Sequence, residues 1–218
     1  MWGDDMSKTC SKCGKSKDTT DFWRWKKSPD GFFPMCKVCQ KDSARKSVQR
    51  LRDKLRLYKS QHPCVHCNES DPATLTFHHR DPAEKSFKIS AGVTEGRYSW
   101  ARILEEINKC DVMCHNCHIK LHYPDQTRKY KMRKVGNKMY RHAEMKKWVY
   151  ELKAGKQCVK CGESHRQCLD FHHRNPAEKS FGIKEGLKKG TEKEKILAEI
   201  TKCDILCSNC HAKLHRNG

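Results

Sequence analysis

The sequence predicts an α+β protein of small modules in series, each stapled by metal rather than built around one large core. Three observations predict it. Only 36% of the 218 residues are hydrophobic and 33% are charged, and a chain that polar needs staples to hold thin-cored domains. Most of the 15 cysteines fall in CxxC pairs. One cysteine- and histidine-bearing stretch also occurs twice.

The repeat organises the chain. Residues 64–122 and 158–215 both contain FHHR-x-PAEKSF and both close on a Cys-x-x-Cys-His segment. Cys64, Cys67, His78 and His79 recur 94 positions later as Cys158, Cys161, His172 and His173. Cys110, Cys114, Cys117, His118 and His122 recur 93 positions later as Cys203, Cys207, Cys210, His211 and His215. One residue is lost from the intervening loop, which differs freely between the copies while the Cys and His positions do not. Two copies are too few for a solenoid, so they read as two like domains.

The remainder divides around them. Residues 1–40 form an N-terminal zinc-binding module, 41–62 a basic helix without Gly or Pro, and 63–123 the first copy. Residues 124–144 are a basic linker opened by Pro124 and interrupted by Gly136, and 145–218 hold the second copy. Leu51, Leu55 and Tyr58 share a helical stripe, as do Met145, Trp148 and Leu152, so each copy is expected to carry its own leading helix.

The cysteines form three complete sets: Cys10/Cys13 with Cys36/Cys39, Cys64/Cys67 with Cys114/Cys117, and Cys158/Cys161 with Cys207/Cys210. Zinc takes four soft ligands in a tetrahedron, and each CxxC turn offers two thiolates. Up to three structural Zn2+ ions are expected. A redox role would need a thioredoxin-like βαβ context, which is missing. Cys114–His118 and Cys207–His211 also fit the haem-attachment pattern CxxCH, but that use leaves the partner CxxC pairs unexplained. Cys110 and Cys203 read as small core residues, and Cys168, whose counterpart is Thr74, as dispensable.

The histidines carry the chemistry. Leu75-Thr76-Phe77 and Leu169-Asp170-Phe171 read as short strands, each ending in His-His-Arg. His118 with His122, and His211 with His215, are four apart, which stacks both imidazoles on one helix face. Three imidazoles per copy can bind a divalent ion and leave the fourth as a base. Adjacent strand residues face opposite sides, so a shared site requires the strand to bend or end at His78-His79 and His172-His173.

This pattern resembles the HNH endonuclease family, in the subclass whose hairpin and helix are clamped by a CxxC…CxxC zinc site, of phage or mobile-element type. The resemblance covers 64–122 and 158–215. The N-terminal module with its basic helix is similar, more loosely, to zinc modules attached to phage-type members. It implies two tandem ββα-metal domains, each holding one divalent catalytic ion such as Mg2+, Mn2+ or Zn2+. By resemblance His79 and His173 are general bases. His78, His118 and His122 are the metal ligands of one copy, and His172, His211 and His215 those of the other. Arg80 and Arg174 are placed to hold the scissile phosphate. The central Asn of the family has no secure match; Asn116 and Asn209 lie inside the second knuckle with a loop-ordering role.

The implied activity is metal-dependent hydrolysis of DNA phosphodiesters, with two sites in one chain able to cut both strands. A formal charge of +20 fits a polyanionic partner, with nucleic acid ahead of an anionic membrane surface. Lys and Arg concentrate in 41–62 and 126–153, where they serve phosphate contact or solubility. Trp23, Trp25, Phe32 and Phe33 lie among lysines and are expected mainly as core under a knuckle, with base stacking the other use. No apolar run suits a membrane span or a secretory leader, so a reducing cytoplasm, of a bacterium or phage-infected cell, is expected. No small-molecule substrate is expected, and oligomeric state is open. The alternatives are a non-catalytic zinc-dependent DNA-binding protein, and a homing or branched-DNA-resolving form of the nuclease.

Overall fold

The computed structural model describes residues 7–124 and 136–216; the side chains of 136–142 and 216, and most of the expected basic linker, lie outside the described residues. Among the described residues the architecture is α+β: helices and three two-stranded antiparallel sheets, each beside a cluster of four cysteines. Among the described residues no helix is long and apolar enough to cross a membrane. The chain divides into two units. One comprises residues 1–57 and 81–109, the other 58–80 and 110–218.

In the first unit, β1 (Ser7–Thr9) pairs with β2 (Ser16–Asp18) around the first CxxC turn. A small core of Cys10, Phe22 and Cys36 forms beneath it, with Phe32, Met35 and Cys39 packed against it. Phe22 is 3% exposed, whereas Trp23 is 50% and Trp25 41% exposed. The two tryptophans are therefore not the core expected of them; Phe22 fills that place. Helix α1 (Lys37–Gln61) follows and begins inside the second CxxC turn, four residues earlier than the expected helix at 41. Helices α2 (Ile89–Thr94) and α3 (Trp100–Ile107) complete this unit. Ser99 caps α3 by accepting from the amide of Arg102, as N-cap serines do.

The second unit holds both histidine hairpins. Strand β3 (Leu75–His79) pairs with β4 (Cys110–Cys114), and α4 (His115–His122) follows directly. Helix α5 (Gly136–Glu151) leads into the second copy. There β5 (Leu169–His173) pairs with β6 (Cys203–Cys207), with α6 (Ile183–Lys189) and α7 (Lys193–Ile200) between them and α8 (Ser208–Arg216) after. The two registers are equivalent, Leu75 opposite Cys114 and Leu169 opposite Cys207. The leading residue of each strand is fully buried, Leu75 at 1% and Leu169 at 0% exposure, and each contributes about 1.5–3 kcal/mol by leaving water.

The first CxxC turn of each set is closed in one way. The residue after the second cysteine has a positive φ: Gly14 at 68°, Asn68 at 59° and Gly162 at 74°. Its amide donates to the carbonyl of the first cysteine at 2.9 Å in all three turns. Glycine and asparagine are the residues that reach this left-handed region at least cost.

The two copies meet within this unit through equivalent residues. The amide of Asn116 donates to Oδ1 of Asn209 at 3.2 Å, and the amide of Asn209 donates to Oδ1 of Asn116 at 3.3 Å. Lys120 pairs with Glu163 and Lys213 with Glu69, both at 2.7 Å. Such reciprocity is what a two-fold, isologous contact produces. Cys168, expected to be dispensable, sits fully buried at this junction, its thiol donating to the carbonyl of Asn116 at 3.6 Å. Thr74, its counterpart, is equally buried and donates instead within its own copy, to the Asp71 carbonyl.

Candidate metal centres

Five side-chain groups among the described residues bring ligand atoms within 4.8 Å of one another. Three are the cysteine tetrads Cys10/Cys13/Cys36/Cys39, Cys64/Cys67/Cys114/Cys117 and Cys158/Cys161/Cys207/Cys210. The other two are the trios His78/His118/His122 and His172/His211/His215.

The tetrads fit zinc. Sulfurs about 2.3 Å from a tetrahedral centre lie about 3.8 Å apart, and Cys67–Cys114 and Cys161–Cys207 are each separated by 3.6 Å. Backbone amides point at the sulfurs: Cys36 to Cys10 and Cys117 to Cys114 at 3.3 Å, and Cys210 to Cys207 at 3.4 Å. Burial opposes ionisation of Cys64 and Cys158, yet the amides of their knuckles outweigh it and bring both thiols down to about 7. Cys10 falls to about 6, chiefly through the Cys36 amide. The last cysteine of each set is pushed up, Cys117 and Cys210 mainly by burial and Cys39, to about 12, mainly by its neighbour Cys36. One thiolate among close sulfurs resists a second ionisation, and a divalent cation relieves that conflict. Cys114 is also the N-cap of α4. The sulfur cluster thereby fixes where the histidine helix starts, and the positive end of that helix favours the thiolate.

The trios are built alike. One imidazole comes from a strand, His78 or His172, and two come from one face of the following helix. Ring centroids in the first trio lie 5.1, 5.1 and 4.6 Å apart, and in the second 5.0, 5.3 and 4.6 Å apart. Nε2 of His211 and Nε2 of His215 approach to 3.2 Å. Nitrogens about 2.0–2.1 Å from one ion would be about 3–3.4 Å apart, so this spacing fits a shared cation. Burial lowers the pKa of His78, His118, His172 and His211, and neighbouring imidazoles lower it further. The neutral form is the one that ligates.

His79 and His173 are not members of the trios. The strands do not end before them: His79 remains in register opposite Cys110, and His173 opposite Cys203. Three imidazoles converge in each copy rather than four, because strand alternation sends the fourth to the other face. There His173 Nε2 lies 2.7 Å from Oε1 of Glu199. Glu199 is 2% exposed, and its carboxylate also accepts from the amides of Ser180 and Phe181 and from Lys202. Burial raises its pKa, but these four donors prevail and hold it at about 2. Glu106, its equivalent in the other unit, is fully buried and accepts from Ser86, Phe87 and Lys109.

These two glutamates belong to none of the motifs read from the sequence. The repeat does carry a signal: ILEEI at 103–107 matches ILAEI at 196–200, keeping the second Glu and dropping the first.

Arg80 and Arg174 act as clasps across their hairpins. Nη1 of Arg80 donates to the Cys110 carbonyl and to Asp111, both at 2.9 Å. Nη1 of Arg174 donates to the Cys203 carbonyl at 2.9 Å and to Asp204 at 3.2 Å. Both side chains stay about half exposed. Asn116 and Asn209 lie at the junction between copies, 7% and 9% exposed. No family model, curated protein or solved structure matches the chain.

Proposed function

We propose that the chain is a metal-dependent endonuclease that hydrolyses DNA phosphodiesters at two HNH-type centres. One observation carries the proposal: in each copy three imidazoles from one strand and one helix converge beside a four-sulfur cluster. A structural zinc protein needs the sulfurs but not the second, sulfur-free ligand set. The net charge of +20 supports a polyanionic substrate.

In this reading the trios hold a divalent ion, which supplies charge stabilisation for the leaving 3′ oxygen. His79 and His173 take the proton from the attacking water. The Glu199 carboxylate supports that role for His173: it accepts from Nε2–H and so leaves Nδ1 as the basic nitrogen. Arg80 and Arg174 steady the hairpins and present their outer edges to a phosphate. The reciprocal Asn116–Asn209 contact makes the two centres a pair within one chain, which supports cleavage of both strands of a duplex.

A non-catalytic zinc-dependent DNA-binding protein is favoured by one observation: His172 and His173 alternate along a regular strand, so the base and the ligand trio start from opposite faces. Plasmid cleavage in Mg2+, Mn2+ or Zn2+ separates the two. The nuclease nicks and linearises supercoiled DNA; His79→Ala and His173→Ala each leave nicking only, and the double variant leaves nothing. Intact plasmid with the unaltered chain in all three metals rejects the nuclease. Normal linearisation by either single variant rejects the division of labour. Linear, junction-bearing and site-bearing substrates then distinguish general, resolving and homing uses.

A further inference from the structure

The exposed aromatic face of the N-terminal module has no part in the chemistry above. Arg24 and Phe32 form an antiparallel bridge. The amide of Trp25 donates to the Gly31 carbonyl and that of Phe33 to the Trp23 carbonyl, both at 2.8 Å. Trp23 thus lies opposite Phe33, and Trp25 opposite Gly31. Opposed residues of a ribbon point the same way and neighbours alternate. Phe32 packs against the core of Cys10, Phe22 and Cys36, so Trp23, Trp25 and Phe33 form the outer face.

The side chains follow that pleat. Trp25 and Phe33 pack with ring centroids 5.4 Å apart, and the ammonium of Lys37 lies 4.7 Å from the Trp23 ring centre. Trp23 and Trp25 remain 50% and 41% exposed. Burying them would have stabilised this small module, and the sequence gives that place to Phe22. Gly31, with φ of 73° and nothing within 4 Å of a Cβ, leaves the surface beside Trp25 open.

The rim is cationic. Lys26 and Lys27 are exposed and Lys37 stands over Trp23, whereas Arg24 shares the side of its bridge partner Phe32 and lies over that ring. The nearby acid, Asp30, is ion-paired with Lys8 and accepts from Ser28 and the Phe32 amide, so its charge is offset locally. Aromatic faces ringed by lysines suit unstacked bases on a phosphate backbone: each base offers a π-face and each phosphate a charge. An acidic protein surface would use the cations and leave two indoles without a purpose.

We infer that Trp23, Trp25 and Phe33 form a stacking platform for unpaired bases of single-stranded DNA, with Lys26, Lys27 and Lys37 contacting its phosphates. The choice of DNA as the source of those bases rests on the nuclease proposal; the stacking geometry does not.

The test uses the full-length chain carrying His79→Ala and His173→Ala, so that probes stay intact, with its zinc content measured throughout. Labelled oligodeoxythymidine, a duplex of equal length and oligouridine are titrated by fluorescence anisotropy. Trp23→Ala and Trp25→Ala are each expected to weaken oligodeoxythymidine binding about tenfold. The salt dependence should keep its slope, because no phosphate contact is removed, and duplex binding should change little. Trp23→Phe should restore most of the loss, whereas Lys26→Ala with Lys27→Ala should flatten the slope. Unchanged oligodeoxythymidine binding in the Trp→Ala variants, or an equal loss on duplex, overturns the platform. Tighter binding of oligouridine overturns DNA as its ligand. None of these outcomes depends on cleavage, so loss of the nuclease reading and loss of the platform are scored separately.

Discussion

Asn116 and Asn209 each donate a backbone amide to the side-chain carbonyl of the other, at 3.2 and 3.3 Å, across the junction between the two copies. Both are nearly buried, at 7% and 9% exposure. Their place in the second CxxC turn, one residue before its closing cysteine, puts this contact next to two sulfur clusters. Asparagine at this position thus links the two copies rather than ordering its own loop alone.

Removing one of them strands a buried donor. Asn116→Ala is expected to destabilise the protein by about 1–3 kcal/mol, the cost of an unsatisfied buried polar group. Asn116→Ala with Asn209→Ala should cost about the sum of the single changes, since each removes the acceptor of a different amide. Urea unfolding at fixed zinc checks this. Lys120→Glu should weaken the same junction, and Lys120→Glu with Glu163→Lys should recover part of the loss by restoring opposite charges.

Glu199 ties four donors together, and replacing it with alanine removes the acceptor of the Ser180 and Phe181 amides and the charge partner of Lys202. That change is expected to cost about 3 kcal/mol or more. Its pH dependence has a definite sign. The folded carboxyl is held at about 2 against an ordinary 4.5, so its stabilisation is complete above about 4.5 and disappears as pH falls toward 2. Urea midpoints measured downward from pH 6 should fall more steeply in the native chain than in Glu199→Gln. Equal slopes would show that Glu199 does not stabilise as an anion.

Zinc removal should act on the fold, and loss of the histidine trios should not. Structural zinc in small modules is worth about 10–16 kcal/mol of apparent binding, and the cores here are small. A strong chelator, or Cys64→Ser with Cys67→Ser, is expected to abolish cooperative unfolding followed by far-UV circular dichroism. His118→Ala with His122→Ala, on the partly exposed face of α4, should leave the unfolding midpoint within about 1 kcal/mol of the native value.

The buried thiol of Cys168 and the buried hydroxyl of Thr74 occupy equivalent places. Cys168→Thr should therefore be tolerated, at less than about 1.5 kcal/mol, whereas Cys168→Arg should not fold, because a charge would enter a site with no exposure. Thermal unfolding checks both.

What could be read in advance followed from spacing within one segment. The CxxC sets, the i, i+4 histidines and the leading helix of the first copy are local patterns, and the folded chain groups the ligands on the same residues. The residues that escaped depend on pairings that spacing does not encode. Whether Trp23 faces in or out follows from the Arg24–Phe32 register, and Asn116 acquires its partner only when the copies meet. Both strands end at the His-His pair, as expected, but they keep ladder register up to His79 and His173, and Pro82 and Pro176 open the turn that follows. Glu199 looked like one surface acid among many in a chain rich in charge, and only its recurrence as Glu106 set it apart.

The most direct measurement is the count of metal ions in the intact chain by native mass spectrometry. Two exchangeable ions beyond three tightly held zincs are expected, one lost in His78→Ala and the other in His172→Ala, with the three zincs retained in both. A chain that binds three ions and no more at saturating Mn2+ or Zn2+ would contradict a second metal centre in each repeat, and with it the hydrolytic function.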